Sequence, residues 1–175
     1  MLVVLPLEVK KREFVPKTFL AYQILKNTNF QVLIGGQRFF SSTIRNFRNV
    51  VFFDKNTYHK RLDSLVKTDE NVICMLDEEG PVFLHTKPAM KFKYNRKLLR
   101  KINKFLFWGN KDLKNINYKL DKNKKSVVGH PKFDILKKPY IKIFDQEVKY
   151  IKKKYKKYIF FASSVDLAKD YYINI

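Results

Sequence analysis

The chain has 175 residues, 45% of them apolar and 15% aromatic, values that suit a globular fold with a sizeable core and exclude disorder as the default. Its formal charge of +21 is mostly lysine, and no apolar run approaches the roughly 18 residues a membrane span requires. Cys74 is the single cysteine, which excludes an internal disulfide and a cysteine metal cluster and suits a reducing cytoplasm.

The amino terminus, Met1 to Glu8, has no basic leader and no small-residue cleavage site, so it reads as a buried strand rather than a signal peptide. Short runs rich in Val, Ile and Phe recur at Leu2–Leu5, Phe30–Ile34, Asn49–Phe53, Asn71–Leu76, Phe105–Trp108, Ser126–Val128 and Tyr158–Ala162. They show little polar alternation, the pattern of strands buried on both faces of a parallel sheet. Between them, apolar residues recur at helical spacing. Phe19, Ala21, Tyr22, Ile24 and Leu25 follow a helix start at Pro16, and Phe39, Thr43 and Phe47 mark a second segment. Tyr58, Leu62, Leu65 and Val66 mark a third, and Leu98, Leu99 and Ile102 a fourth. Alternating strands and helices predict an α/β fold, Rossmann-like and doubly wound around a mostly parallel sheet. The stretch Gly80–Lys93, with Pro81 and Pro88, is expected to be a functional loop or lid over the sheet edge.

Charge divides the chain. Residues 1–90 carry 13 Lys/Arg against 9 Asp/Glu, whereas 91–175 carry 24 against 7. A basic half suggests an anionic partner: nucleotide phosphates, acidic lipid headgroups or nucleic acid. A solvated lysine coat arising from AT-rich coding explains the same numbers. Lysine lacks the planar fork that reads phosphates bidentately, so nucleic acid is not the expected partner. Near the end, Phe144, Val148, Ile151 and Tyr155 form a helical stripe whose other face carries Lys149, Lys152, Lys153, Lys154, Lys156 and Lys157. Such a helix either packs its stripe on a sheet, the favoured expectation, or lies on an anionic membrane surface.

Ligands of open α/β sheets bind beyond the carboxyl ends of the strands, and three polar clusters fall there. Glu8, Arg12 and Glu13 follow the first strand. Without a glycine-rich fingerprint, this turn is neither a dinucleotide site nor a Walker loop. A carboxylate here can serve as a general base towards a hydroxyl while Arg12 binds an anion, or the group is an ordinary helix-start salt bridge. Asp77, Glu78 and Glu79 crowd the end of the fourth strand, where three carboxylates need cations or hydroxyl donors nearby. Adjacent side chains diverge and no histidine is close in sequence, so no metal is assigned. Contacts with a sugar, or a structural pair with Arg12, fit better. Trp108 and Gly109 close the fifth strand, Trp108 as core or as a ligand platform and Gly109 as a point of close backbone approach. His59, His85 and His130 have no hydrolase or zinc spacing.

Taken in order, Leu5-Pro6-Leu7-Glu8-Val9-Lys10-Lys11-Arg12-Glu13, Leu76-Asp77-Glu78-Glu79-Gly80, Phe107-Trp108-Gly109 and Gly129-His130-Pro131-Lys132-Phe133-Asp134-Ile135-Leu136 resemble the surface carbohydrate biosynthesis family of bacteria. Those proteins look like GT-B glycosyltransferases, with two Rossmann-like domains facing across a cleft. The last motif is similar to the family's Gly-Asn-Pro-Arg-Phe-Asp pattern, with His130 in place of Asn and Lys132 in place of Arg. Lys132 keeps the charge but loses the bidentate geometry. A related turn occurs in glycerophosphotransferases of teichoic-type polymer synthesis.

The resemblance spans nearly the whole chain but only the amino-terminal part of the family's length. It implies an acceptor-side domain at 1–135, a linker and basic helix at 136–157, and at 158–175 the first strand of a second domain that would otherwise supply most of the donor site. It further implies that Glu8, Glu13 or an acid among Asp77, Glu78 and Glu79 deprotonates or orients the acceptor hydroxyl. Arg12 and Lys132 would steady phosphate or anionic sugar, with Trp108, Gly109, Gly129, His130, Pro131 and Asp134 shaping the cleft. The expected partners are a saccharide acceptor and a nucleotide-sugar co-substrate, with no metal and no bound cofactor, at the inner face of the membrane or free in the cytoplasm. Alternatives are a glycerophosphotransferase-like enzyme and a non-catalytic basic protein that binds anionic membrane or nucleic acid.

Overall fold

A computed structural model of the chain describes residues 1–43, 46–55, 70–79, 99–115 and 119–160. The first strand, β1 (Leu2–Leu7), leads into helix α1 (Lys10–Asn27) and strand β2 (Gln31–Gly36). Helix α2 (Gln37–Thr43) precedes β3 (Val50–Asp54), β4 (Val72–Leu76) and β5 (Lys104–Phe107). Helix α3 (Asn110–Asn115), strand β6 (Lys125–Val127) and the single-turn helix α4 (Pro131–Asp134) follow, then a 3-10 turn (Tyr140–Phe144) and helix α5 (Asp145–Tyr155). The chain divides into two compact units, Met1–Lys137 and Lys138–Ile175.

Among the described residues the six strands are all parallel, in the order β2-β1-β3-β4-β5-β6. This is the open Rossmann-like α/β sheet expected from the apolar runs. Each strand presents alternate residues to opposite faces, so a two-sided core needs apolar residues at every position. Val3 and Leu5 bury against Ala21 of α1 with Val32, Ile34, Val51 and Phe53 around them. On the other face, Val4, Phe52, Ile73, Met75, Phe105 and Phe107 pack with Phe40 of α2 and with Leu99 and Ile102. Phe40 and Phe52, both fully buried, meet edge-on with ring centres 6.5 Å apart. Gly35 lets Phe40 settle there: a Cβ on Gly35 would stand 3.0 Å from the ring.

Several expectations fall outside the described residues: the helix from Tyr58 to Val66, the loop Gly80–Lys93, and Leu98. Of the proposed strand Tyr158–Ala162, residues 158–160 are exposed without regular structure, and 161–162 lie outside the described residues. The start of α1 differs from expectation. Pro16 lies inside the helix, which begins six residues earlier at Lys10. Its N-cap residue, Val9, has no side chain able to cap, and Glu13 supplies the missing acceptor by reaching back to the Glu8 and Val9 N–H groups.

The strand order reverses between β1 and β3. From β1 the chain moves outward to β2, then crosses back past β1 to β3. The β1–β2 register continues to Leu7↔Gly36, whereas β1–β3 pairing ends at Val4↔Phe52. Beyond that point the carboxyl ends of β1 and β3 separate, which is where an open α/β sheet leaves its crevice.

Candidate functional site

Two layers of charge occupy the carboxyl ends of β1, β3 and β4. The outer layer is a ring of four side chains. Glu8, just past β1, accepts from Lys55 Nζ, just past β3, across the separating strand ends. Arg12 Nη2 lies 3.6 Å from Glu8 and 3.8 Å from Glu79, and Lys55 Nζ lies 3.6 Å from Glu79. Each carboxylate therefore faces both cations. Glu8 and Arg12 are each 38% exposed and Glu79 58%, so these three meet solvent, whereas Lys55 is 13% exposed beneath them.

The inner layer is buried. Glu13, with its side chain 1% exposed, accepts from the Glu8 N–H at 2.9 Å, Arg12 Nη2 at 3.0 Å and Lys17 Nζ at 3.2 Å. Burial by itself would raise its pKa, but the Glu8 N–H together with Lys17 and Arg12 holds it down to about 2. Lys17 also donates to the Pro6 carbonyl and lies 3.2 Å from Glu78 Oε1, tying α1 to the ends of β1 and β4. Glu78 is likewise buried. Desolvation pushes its pKa up, yet His130 and Lys17 keep it below its ordinary value.

His130 connects the glycine-proline turn to this layer. Gly129 takes φ +81°, a left-handed conformation that favours glycine, and its N–H donates to the Phe107 carbonyl. His130 then caps α4, with Pro131 at the first helical position and Nδ1 accepting from the Lys132 N–H at 3.1 Å. That bond leaves the proton of the neutral ring on Nε2, 3.4 Å from Glu78 Oε2. The two atoms meet end to end at the edge of hydrogen-bonding geometry, and neither has a hydrogen-bond partner among the described residues. The His130 ring lies on Trp108 with centres 4.4 Å apart. Trp108 Nε1 donates to the Asp77 carbonyl at 2.7 Å, and Phe133 meets the indole edge-on. Lys132 Nζ donates to the Glu78 carbonyl and lies over the indole, 5.5 Å from its centre.

The sheet thus brings together most of the residues singled out from sequence, but in changed roles. Glu13 cannot serve as the base: all its acceptor capacity is committed and it stays ionised at neutral pH. Glu78 and His130 face each other in the interior rather than lining a cleft. Asp77 is buried, its Oδ1 accepting from the Glu79 N–H. Trp108 is half-buried, packed between His130, Phe133 and Lys132. Lys132 engages the Glu78 carbonyl and the Trp108 ring. A Cβ on Gly109 would meet nothing within 4 Å, and the Gly109 carbonyl accepts the Leu113 N–H of α3. Asp134 lies outside the cluster and pairs on the surface with Lys137 at 2.7 Å.

Two functional candidates were missed, Lys17 and Lys55. Lys17 was legible as the i+4 partner of Glu13 on one helix. Lys55 follows β3 directly, and the rule that directed attention to β1 and β4 applies equally to β3.

In the two layers the carboxylates of Glu8, Glu13, Glu78 and Glu79 interleave with the cations of Arg12, Lys17, Lys55 and Lys132. Among the described residues no group of three His, Cys, Asp or Glu side chains could hold a metal ion. The outer ring can accept hydrogen bonds from hydroxyls through Glu8 and Glu79, and can hold an anionic group through Arg12 and Lys55. Among the described residues no helix is long and apolar enough to cross a membrane. In comparisons with known proteins, no family model, curated protein or solved structure matches the chain.

Proposed function

We propose that this chain carries the acceptor-side domain of a GT-B-like glycosyltransferase for surface polysaccharide. The observation that carries the reading is the ring of Glu8, Arg12, Lys55 and Glu79, open to solvent at the switch point between β1 and β3. Carboxylates that alternate with cations suit a polyhydroxylated acceptor, because the acids take hydroxyl hydrogen bonds while the cations fix the acids in place. Glu8 accepts the proton of the acceptor hydroxyl. The freed oxygen attacks the anomeric carbon of a nucleotide sugar, and the bond from that carbon to the diphosphate breaks. Arg12 and Lys55 steady the negative charge that moves to the leaving group, which is electrostatic stabilisation supplied without a metal. The buried Glu13, Lys17 and Glu78 hold the ring in register by fixing α1 against the strand ends.

The test is release of nucleoside diphosphate from a panel of nucleotide sugars in the presence of saccharide acceptors. The parent chain is compared with Glu8→Gln and Lys55→Met. With a donor-side domain added in trans, the reading expects acceptor-dependent release that falls about 100-fold or more in Glu8→Gln, the usual scale for loss of a general base. Saccharide binding followed by ligand-observed NMR gives a second readout, expected to weaken in Lys55→Met. Turnover and saccharide binding that are both unchanged in the two variants would overturn it.

A further inference from the structure

We infer that the second unit docks onto an anionic lipid bilayer through α5 and the segment that follows it. This surface belongs to the second unit, and the proposal does not rest on the transferase reading. The sequence favoured a helix packed by its apolar stripe on the sheet, but α5 buries none of its residues. Val148, Ile151 and Tyr155 share one face at helical spacing and are 43%, 37% and 53% exposed. Ile143 precedes them, also exposed, and Tyr158, Ile159 and Phe160 follow, with Ile159 97% exposed.

The charge around this stripe selects its occupant. Residues 138–160 hold eight lysines against two acids, Asp145 and Glu147, and both acids sit in the first turn of α5, where the helix dipole favours them. Lys149, Lys152, Lys153, Lys154, Lys156 and Lys157 flank or follow the stripe. Lysines at the rim of an apolar face reach lipid phosphates while their stems lie along the acyl boundary, and tyrosines suit the same depth. Near an anionic surface each lysine strengthens binding about five-fold. With 11 residues, α5 spans about 16 Å, roughly half a hydrocarbon core, so it lies on the bilayer instead of crossing it.

Nucleic acid fits the surface less well. Residues 138–160 contain no arginine, and phosphate contacts give Val148, Ile151, Ile159 and Phe160 nothing to bury against.

The experiment is co-sedimentation of the full chain with vesicles of phosphatidylcholine plus phosphatidylglycerol, with phosphatidylcholine vesicles and duplex DNA as controls. Binding is expected to the mixed vesicles and to be at least about ten-fold weaker to phosphatidylcholine alone. Val148→Asp with Ile151→Asp should weaken it by about ten-fold or more, because the stripe no longer enters the acyl boundary. Lys152→Gln, Lys153→Gln and Lys154→Gln together should weaken it by about 100-fold, at about five-fold for each lysine. All these side chains are exposed, so Trp108 fluorescence should report an unchanged first unit in every variant. Vesicle binding indifferent to the two aspartates would overturn the proposal. So would DNA binding without vesicle binding, or a dimer in light scattering that ignores vesicles.

Discussion

Replacing Glu13 by glutamine should cost the fold a large share of its stability, in a way that depends on pH. Glu13 is buried at the point where α1 leaves β1, accepting from two backbone N–H groups, Arg12 and Lys17. Its pKa falls from an ordinary 4.5 to about 2. A group with a depressed folded pKa stabilises the native state above its unfolded pKa, and that contribution is lost as pH falls through the folded value. The difference of about 2.5 units, at 1.36 kcal/mol each, gives roughly 3 kcal/mol, present above pH 4.5 and lost towards pH 2. Glutamine keeps one acceptor but turns an amide N–H₂ towards Arg12 or Lys17 and removes the counter-charge they share, leaving Arg12 to Glu8 and Glu79 and Lys17 to Glu78. That places the loss at neutral pH at about 2–4 kcal/mol. Urea unfolding followed by the lone tryptophan, Trp108, measures it for both chains at several pH values between 7 and 2. The parent should lose stability steeply below pH 4.5, and Glu13→Gln should lose less over the same interval. Glu78, whose pKa is also lowered, leaves some slope in both. A loss below about 0.5 kcal/mol at pH 7, or identical pH slopes in the two chains, would refute the assignment of Glu13 as a structural clamp.

Phe52→Ala should remove about 3–5 kcal/mol in the same unfolding assay, because Phe52 is fully buried against Phe40 and the cavity cannot fill from the sheet. Gly129→Ala should cost about 1–2 kcal/mol from its positive φ alone, since a Cβ there meets nothing within 4 Å. Its near-ultraviolet dichroism at Trp108 should also shift, because the turn carries His130 onto the indole ring. An unchanged midpoint would show that the turn relaxes freely.

The strands were legible because a sheet buried on both faces leaves the same mark in any context, a short run without polar alternation. Leu2–Leu5, Asn49–Phe53 and Asn71–Leu76 each lie within a residue or two of the observed strands. The turn at Gly129 was legible for a similarly local reason: glycine before a histidine cap and a first-turn proline leaves few backbone alternatives. The acids at 8, 13 and 77–79 were visible as a set, but their division of labour was not. Glu8 and Glu13 sit five residues apart in one turn with the same side chain. One is partly open to solvent and the other sealed because Glu13 folds back onto the Glu8 and Val9 N–H groups and Lys17.

Sequence by itself determined the parallel sheet, the order of its elements and the concentration of acids at strand ends, because each follows from hydrophobic period and local turn chemistry. Tertiary structure decided which acids face solvent and what neutralises them. Lys55 lies 47 residues from Glu8 and Glu78 lies 61 from Lys17, and only the pairing of β1, β3 and β4 brings those charges within reach. It also left the stripe of α5 uncovered, where the spacing alone could not distinguish a buried face from an exposed one. Spacing fixes which residues share a face, and packing decides what that face meets.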